Sequence, residues 1–195
     1  MSAATSPVTP FVNCKPQVII MRKIIQTPLT DEVITSLRAG EMVYISGDVY
    51  TARDAAHKRL VEMIGRGDTP PFDFAGQVVY YAGPCPSKPG FVIGSVGPTT
   101  SCRMDAYTPT LIRHGLKAMI GKGLRDEEVV RAIVENRGIY FAAIGGAAAL
   151  MSQCVKKVEM IAFEDLGTEA IRKLTVEELP VVVAIDAQGR DVYNR

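Results

Sequence analysis

Apolar residues fall in short blocks separated by Gly- and Pro-rich breaks, and the blocks carry two different periods. Met42–Ser46 is an apolar run ending at Gly47-Asp48 and predicts a strand. A helix is predicted to follow, to about Gly65. Thr51 and Asp54 have the spacing of a capping box, the acid suits the positive helix start, and Ala56, Leu60, Met63 and Ile64 share a face. Gly67–Gly76 contains adjacent prolines and predicts a loop. Val78–Ala82 and Phe91–Val96 predict strands joined by the turn Gly83–Gly90. A helix over Asp105–His114 and a strand over Lys117–Ile120 come next. Asp126–Asn136 predicts a helix with Val129, Val130 and Ile133 inward. Ile139–Ile144 predicts a strand, and the small, Ala-rich Gly145–Val155 a buried helix. Val158–Phe163 and Val181–Asp186 predict strands, and Gln188-Gly189 a hairpin turn into Asp191–Tyr193.

Strands alternate with helices over the second half and follow one another in the first. The class is therefore α/β, in layers, with a mixed rather than purely parallel sheet. Residues 1–25 are expected to form a loose leader and 26–195 one folded domain, a size that one core can support. The Met1–Pro16 stretch is rich in Ser, Thr and Pro, lacks Arg, and resembles neither a signal nor a transit peptide. No apolar run is long enough to span a bilayer.

Hydrophobic residues make up 47% and charged residues 22%, ordinary globular usage. The net charge of +1 gives no case for nucleic acid or an acidic membrane surface, so any useful positive charge is local. The cysteines, Cys14, Cys85, Cys102 and Cys154, are widely and irregularly spaced, with no C-x-x-C pair. A structural zinc site and a disulfide framework are both disfavoured, and a reducing, cytoplasmic location is expected.

Three segments share one form, a basic residue in a Gly- or Thr-rich turn after a predicted strand. They are Gly47–Asp54 with Arg53, Gly97–Asp105 with Arg103, and Gly121-Lys122-Gly123. Ligands bind α/β sheets in the crevice at strand ends, and glycines let backbone approach an anion closely. Two arginines and a lysine there suit carboxylates, the arginines bidentately and the lysine as a point charge, which points to a small dianion. Plain alternatives stand beside this. Arg53 and Arg103 also read as solvated charges, with Asp105 a partner for Arg103. Thr99 and Thr100 read as turn or capping residues. His57, one turn after Arg53, reads as a core or supporting hydrogen-bonder, and the cysteines as small buried side chains. Gly145-Gly146 fits close helix packing or an anion-binding helix start. Neither a P-loop nor a dinucleotide fingerprint is present.

Taken in order, the segments resemble the β-type domain of class I, iron–sulfur fumarate hydratases and L(+)-tartrate dehydratases. The carriers are Gly47-Asp48 with Thr51–His57, Tyr81-Ala82-Gly83-Pro84, Gly97–Asp105, Gly121-Lys122-Gly123, and Glu169-Ala170-Ile171 with Pro180–Tyr193. The resemblance runs from about Gln26 to Tyr193. It implies a swivelling β/β/α fold and reversible hydration of fumarate to (S)-malate, assisted by a [4Fe–4S] cluster. The cluster is expected on a separate α subunit in a hetero-oligomer of the α2β2 kind, with no metal ligand on this chain. It further implies that Arg53, Thr99, Thr100, Ser101, Cys102, Arg103 and Lys122 bind substrate. Thr99 is a candidate proton-abstracting base, with His57 and Asp105 supporting. A hydroxyl is a poor base unless its proton is relayed or its alkoxide is stabilised by nearby cations. Glu169-Ala170-Ile171 sits closer to the fumarate branch than to the tartrate branch. Conversion of tartrate to oxaloacetate is the alternative activity, and a non-enzymatic dicarboxylate-binding module the alternative of another class.

Overall fold

The computed structural model describes residues 22–87, 89–143 and 148–194. Their strands are β1 (Ile24–Gln26), β2 (Met42–Thr51), β3 (Val78–Tyr80), β4 (Ala118–Gly121), β5 (Ile139–Ala143), β6 (Val155–Ala162) and β7 (Ile171–Ile185). The helices are α1 (Asp31–Ser36), α2 (Asp54–Gly65), α3 (Thr108–Arg113), α4 (Glu127–Glu135) and α5 (Ala148–Gln153). The strand order is β1-β2-β3-β4-β5-β7-β6, and β2 also pairs with β7. Strands β2 to β5 run parallel, while β7 is antiparallel to β2, β5 and β6. The β2–β7 pairing closes β2, β3, β4, β5 and β7 into a ring. The expected α/β class, the mixed sheet and the layering are all present.

Alternation on the strands builds two apolar layers. Val78, Tyr80, Ala118, Ile120, Ile139 and Phe141 point to one face, where they meet Val43, Ile45, Leu174, Val181 and Val183. The intervening Val79, Tyr81, Met119 and Tyr140 point to the other, against Ala56 and Leu60 of α2, Leu111 and Ile112 of α3, and Val129 and Ile133 of α4. Strands buried on both faces read as continuous apolar runs, which is why β3, β4 and β5 were legible in the sequence.

Several elements differ from expectation. The segment Phe91–Val96 is not a strand: β3 already has β2 and β4 on its two edges, so no ladder is free for it. Phe91 and Val92 are exposed instead. Strand β2 runs on through Gly47 to Thr51, with a bulge between Ile45 and Gly47, where Gly47 takes φ +110° and packs on the Thr27 backbone. Thr51 therefore ends a strand and does not cap α2; its Oγ1 accepts the Arg172 N–H at 3.2 Å. Strand β7 begins ten residues before the expected Val181. Leu174 and Val176 keep its alternation, and Pro180 falls between the stretches that pair with β6 and with β5. The expected Asp105–His114 helix is a 3-10 turn over Ser101–Met104 followed by α3, with Pro109 in the first turn of α3. In α5 only Met151 is buried, against the expected buried helix. Cys85 and Cys102 are exposed, the first in the irregular segment after β3 and the second on the 3-10 turn, and Cys154 is half-buried. Strand β1 and helix α1 were not predicted; Ile24 and Ile25, within the expected leader, belong to β1. The remaining expected leader, Cys14, and the Ile144 and Gly145-Gly146 positions lie outside the described residues.

Two buried polar groups stand out in the layer between sheet and helices. Arg125 and Asp105 form an ion pair, Nε to Oδ1 2.7 Å, with side chains 0% and 8% exposed. Arg125 Nη2 donates to Thr108 Oγ1 (2.9 Å) and Nη1 to the Tyr81 hydroxyl (3.3 Å), while the guanidinium lies 5.2 and 5.0 Å from the Tyr81 and Tyr140 ring centres. His57 is fully buried on α2, its Nδ1 2.9 Å from the Arg53 carbonyl oxygen. A carbonyl only accepts, so Nδ1 carries the proton. Burial holds the imidazole neutral, with its pKa lowered to about 4.

Breaking the buried pair strands a charge. Arg125→Met is expected to lower unfolding free energy by about 3–5 kcal/mol in urea titration, and adding Asp105→Leu to recover part of that loss. For His57 the unfolded chain takes a proton at ordinary histidine pKa, well above that of the folded chain. The stability of keeping it neutral is present above about pH 6.5 and lost as pH falls towards 4. The stability difference between wild type and His57→Gln, measured from pH 7.5 to 4, should shrink by roughly 3 kcal/mol.

Candidate functional site

Strands β2, β3, β4 and β5 are parallel, so their carboxyl ends lie along one edge of the sheet. The three basic segments leave from that edge. Arg53 follows β2 by two residues, Lys122 follows β4 directly, and the Gly97–Arg103 turn is attached to both β3 and β4. The Thr99 N–H donates to the Tyr81 carbonyl at 2.6 Å, the Ser101 N–H donates to the Lys122 carbonyl at 2.9 Å, and Ala82 bridges Pro98 while Thr100 bridges Lys122. Thr99 is partly exposed, and Thr100, Cys102, Arg103 and Lys122 are exposed.

The Lys122 turn is fixed from below by a directed chain of hydrogen bonds. The Gly123 carbonyl accepts from the Tyr140 hydroxyl (2.9 Å), so that hydroxyl must accept from Ser101 Oγ (2.8 Å). Ser101 Oγ in turn accepts the Lys122 N–H (3.0 Å). Burial pushes the Tyr140 phenol pKa well up, so it remains a donor at all ordinary pH. The Ser101 hydroxyl, expected at the substrate, is thus fully buried and spent on the turn itself. A Cβ on Gly121 would collide with Ser101 Oγ.

At the start of α2, Arg53 occupies the cap position without capping the helix through its side chain. The cap comes from afar: Glu169 Oε2 accepts the Ala55 N–H at 2.9 Å, while Oε1 lies 3.6 Å from Arg53 Nη2. Gly83 makes room for Arg53, since a Cβ there would sit 2.8 Å from Nη1. Asp54 stands between the two arginines, Oδ1 2.8 Å from Arg103 Nε and Oδ2 4.0 Å from Arg53 Nε. Arg53 Nε, Asp54 Oδ2 and His57 Nε2 are buried without a hydrogen-bond partner among the described residues. Buried polar atoms are rarely left so, and two of these three, Arg53 Nε and Asp54 Oδ2, face each other at 4.0 Å.

The structure therefore joins Arg53 to Arg103 through Asp54, and Thr100 to Lys122 through backbone pairing. It separates Asp105 from Arg103: the carboxylate is bound by Arg125 and by the Asp126 N–H at 2.9 Å, so the plain alternative of an Arg103–Asp105 pair does not form. Asp54 takes its place. His57 supports Arg53 through the backbone carbonyl and lies edge-on to Tyr81 at 5.1 Å. Sequence reasoning missed Arg125, Tyr81, Thr108 and Tyr140 as supports. Arg125 follows Gly123-Leu124 with no periodic signal, and the tyrosines look like ordinary strand residues. Among the described residues no group of three or more His, Cys, Asp and Glu side chains is disposed to hold a metal ion. The described residues do not fit a cluster site.

A sequence model of the family described as "Fumarase C-terminus" matches residues 9–195. A Methanocaldococcus jannaschii protein provisionally named as the β subunit of L(+)-tartrate dehydratase is 37% identical over 172 residues, covering 85% of this chain and 88% of that protein. Fumarate hydratase 2 of Leishmania major is 37% identical over 158 residues, and the anaerobic class I fumarate hydratase of Escherichia coli 38% over 153 residues. These cover 80% and 77% of this chain but 28% of each relative, so the chain spans little more than a quarter of the fumarate hydratases it matches. The matched region includes every segment that meets at the sheet edge, and the chain belongs to the fumarase C-terminus family.

Proposed function

We propose that this chain is the substrate-clamping β subunit of a [4Fe–4S] hydro-lyase that interconverts fumarate and (S)-malate together with a separate cluster-bearing α subunit. The observation that carries the reading is the convergence of Arg53, Arg103 and Lys122 on one strand-end edge, with backbone turns fixed from beneath. The M. jannaschii relative supports a free-standing subunit, because its name describes a β subunit and the chain spans 88% of it. The cluster, on the partner, would supply a Lewis acid for the substrate hydroxyl and one carboxylate.

The residues of this chain do the rest. Arg103, half exposed at 50%, presents its guanidinium to the carboxylate distant from the cluster. Arg53 and Lys122 add charge on either side. These cations stabilise the negative charge that builds as the C–H bond breaks. Thr99, anchored through its backbone to Tyr81, takes the proton only if a neighbouring cation stabilises its oxygen; Lys122, whose backbone pairs with that of Thr100, is the candidate for that cation. Placing the partner over the edge excludes water from the clamp. Conversion of tartrate to oxaloacetate is the second reading, since the same clamp suits either dicarboxylate and one relative bears that name.

The test is a pair of arginine variants assayed in the anaerobically assembled complex. Arg103→Ala should lower kcat/KM for fumarate roughly thirtyfold or more, the cost of leaving a carboxylate contact unpaired. Arg38→Ala removes an exposed arginine whose Nη1 donates only to the carbonyls of Thr35 and Leu37, and should leave kcat/KM within about twofold. Equal activity of the two variants would remove Arg103 from the site.

A further inference from the structure

Asp54 is an odd residue to find in an anion clamp. It lies between two guanidiniums assigned to bind a dianion, and its own negative charge opposes that binding. Oδ1 is 2.8 Å from Arg103 Nε, and Oδ2, buried and without a hydrogen bond, faces Arg53 Nε at 4.0 Å. Arg103 lies at the tip of the 3-10 turn with half of its side chain exposed, and Asp54 is its ion-pair partner among the described residues. Asp54 is itself immobile: it is the first residue of α2, only 27% exposed, and the helix start beneath it is tied to Glu169. Two effects therefore compete. The charge of Asp54 weakens anion attraction, while its contact holds a long, mobile arginine in place and separates two like charges.

We propose that positioning prevails, so that Asp54 is the positioning residue of the clamp. It holds the Nε side of Arg103 and leaves the Nη side for the substrate carboxylate. The inference rests on the dicarboxylate reading above. An arginine ordered beforehand loses less freedom when it binds, which is worth about a fewfold to tenfold in affinity. The two effects have opposite signs and different salt dependence. Loss of a mere repelling charge would tighten binding, and the gain would fade with salt, because exposed charges are screened. Loss of a positioning contact weakens binding at any salt.

The experiment measures KM and kcat for fumarate in the assembled complex at about 0.05 and about 0.5 M salt. It compares wild type, Asp54→Asn and Glu62→Gln. Glu62 is a control of equal charge change on the same helix, where among the described residues it pairs with Lys58 at 3.9 Å. Asp54→Ala, which carries the highest helix propensity into the first turn of α2, is read in the same way should Asp54→Asn not fold. Asp54→Asn should raise KM between about fivefold and tenfold at both salt concentrations, with a smaller change in kcat, and Glu62→Gln should change neither. A KM that is unchanged or lower in Asp54→Asn, with wild type active, overturns the inference and leaves the function standing. A wild-type complex that turns over neither fumarate nor tartrate ends the function and the inference together.

Discussion

The buried pair of Arg125 and Asp105 is the constraint on which the site depends. An arginine with no exposed side-chain surface is tolerable only when each of its nitrogens finds a hydrogen-bond partner and a counter-charge lies in contact. Meeting that demand draws in Asp105 from the end of the 3-10 turn, Thr108 from the start of α3, and Tyr81 from just beyond β3. Asp105 also accepts the N–H of Asp126, which caps α4. Four elements that meet at the strand-end edge are thus fixed relative to one another by a single guanidinium. The Ser101–Tyr140 chain does the same for the Lys122 turn a few ångströms away. Flexible glycines can then carry binding groups without letting them wander.

The ring of strands places these groups. Because β7 runs antiparallel along both β2 and β5, the parallel strands between them are closed on both sides and buried on both faces. The turns that carry Arg53, Arg103 and Lys122 leave from their carboxyl ends. Helix α2 begins there, and its start takes its cap from Glu169, which lies next to β7 in sequence. The same carboxylate lies near Arg53. Closure of the ring and assembly of the arginine pair are therefore linked, since the two segments that pair in the β2–β7 ladder also bring Arg53 and Glu169 together.

Much of this was legible in the sequence. Doubly buried strands gave apolar runs, and α4 showed its face through Val129 and Ile133 and its start through Asp126. Arg53, Arg103 and Lys122 could be placed after strands by local pattern alone. What was not legible depended on distant partners. Half of β7 was hidden because its alternation is broken by Glu177-Glu178 and Pro180, and only the neighbours β2, β5 and β6 make a strand of it. The Phe91–Val96 segment has strand composition but no free edge to join. Asp105 was the nearer acid to Arg103, yet Arg125, twenty residues on, captures it, and Asp54 from α2 fills the gap. Local sequence gives charges and turns; which charges pair is decided by the fold.

The clamp proposed above is half of a reaction site: its cations would hold a dicarboxylate, and the proposal assigns the electrophile to another chain. The most direct measurement is fumarate hydration under anaerobic conditions by this chain alone, by a cluster-bearing partner alone, and by the two combined. The account predicts turnover only in the mixture, rising to a plateau as partner is added. Hydration of fumarate by the purified chain alone, at the rate of the mixture, would contradict it.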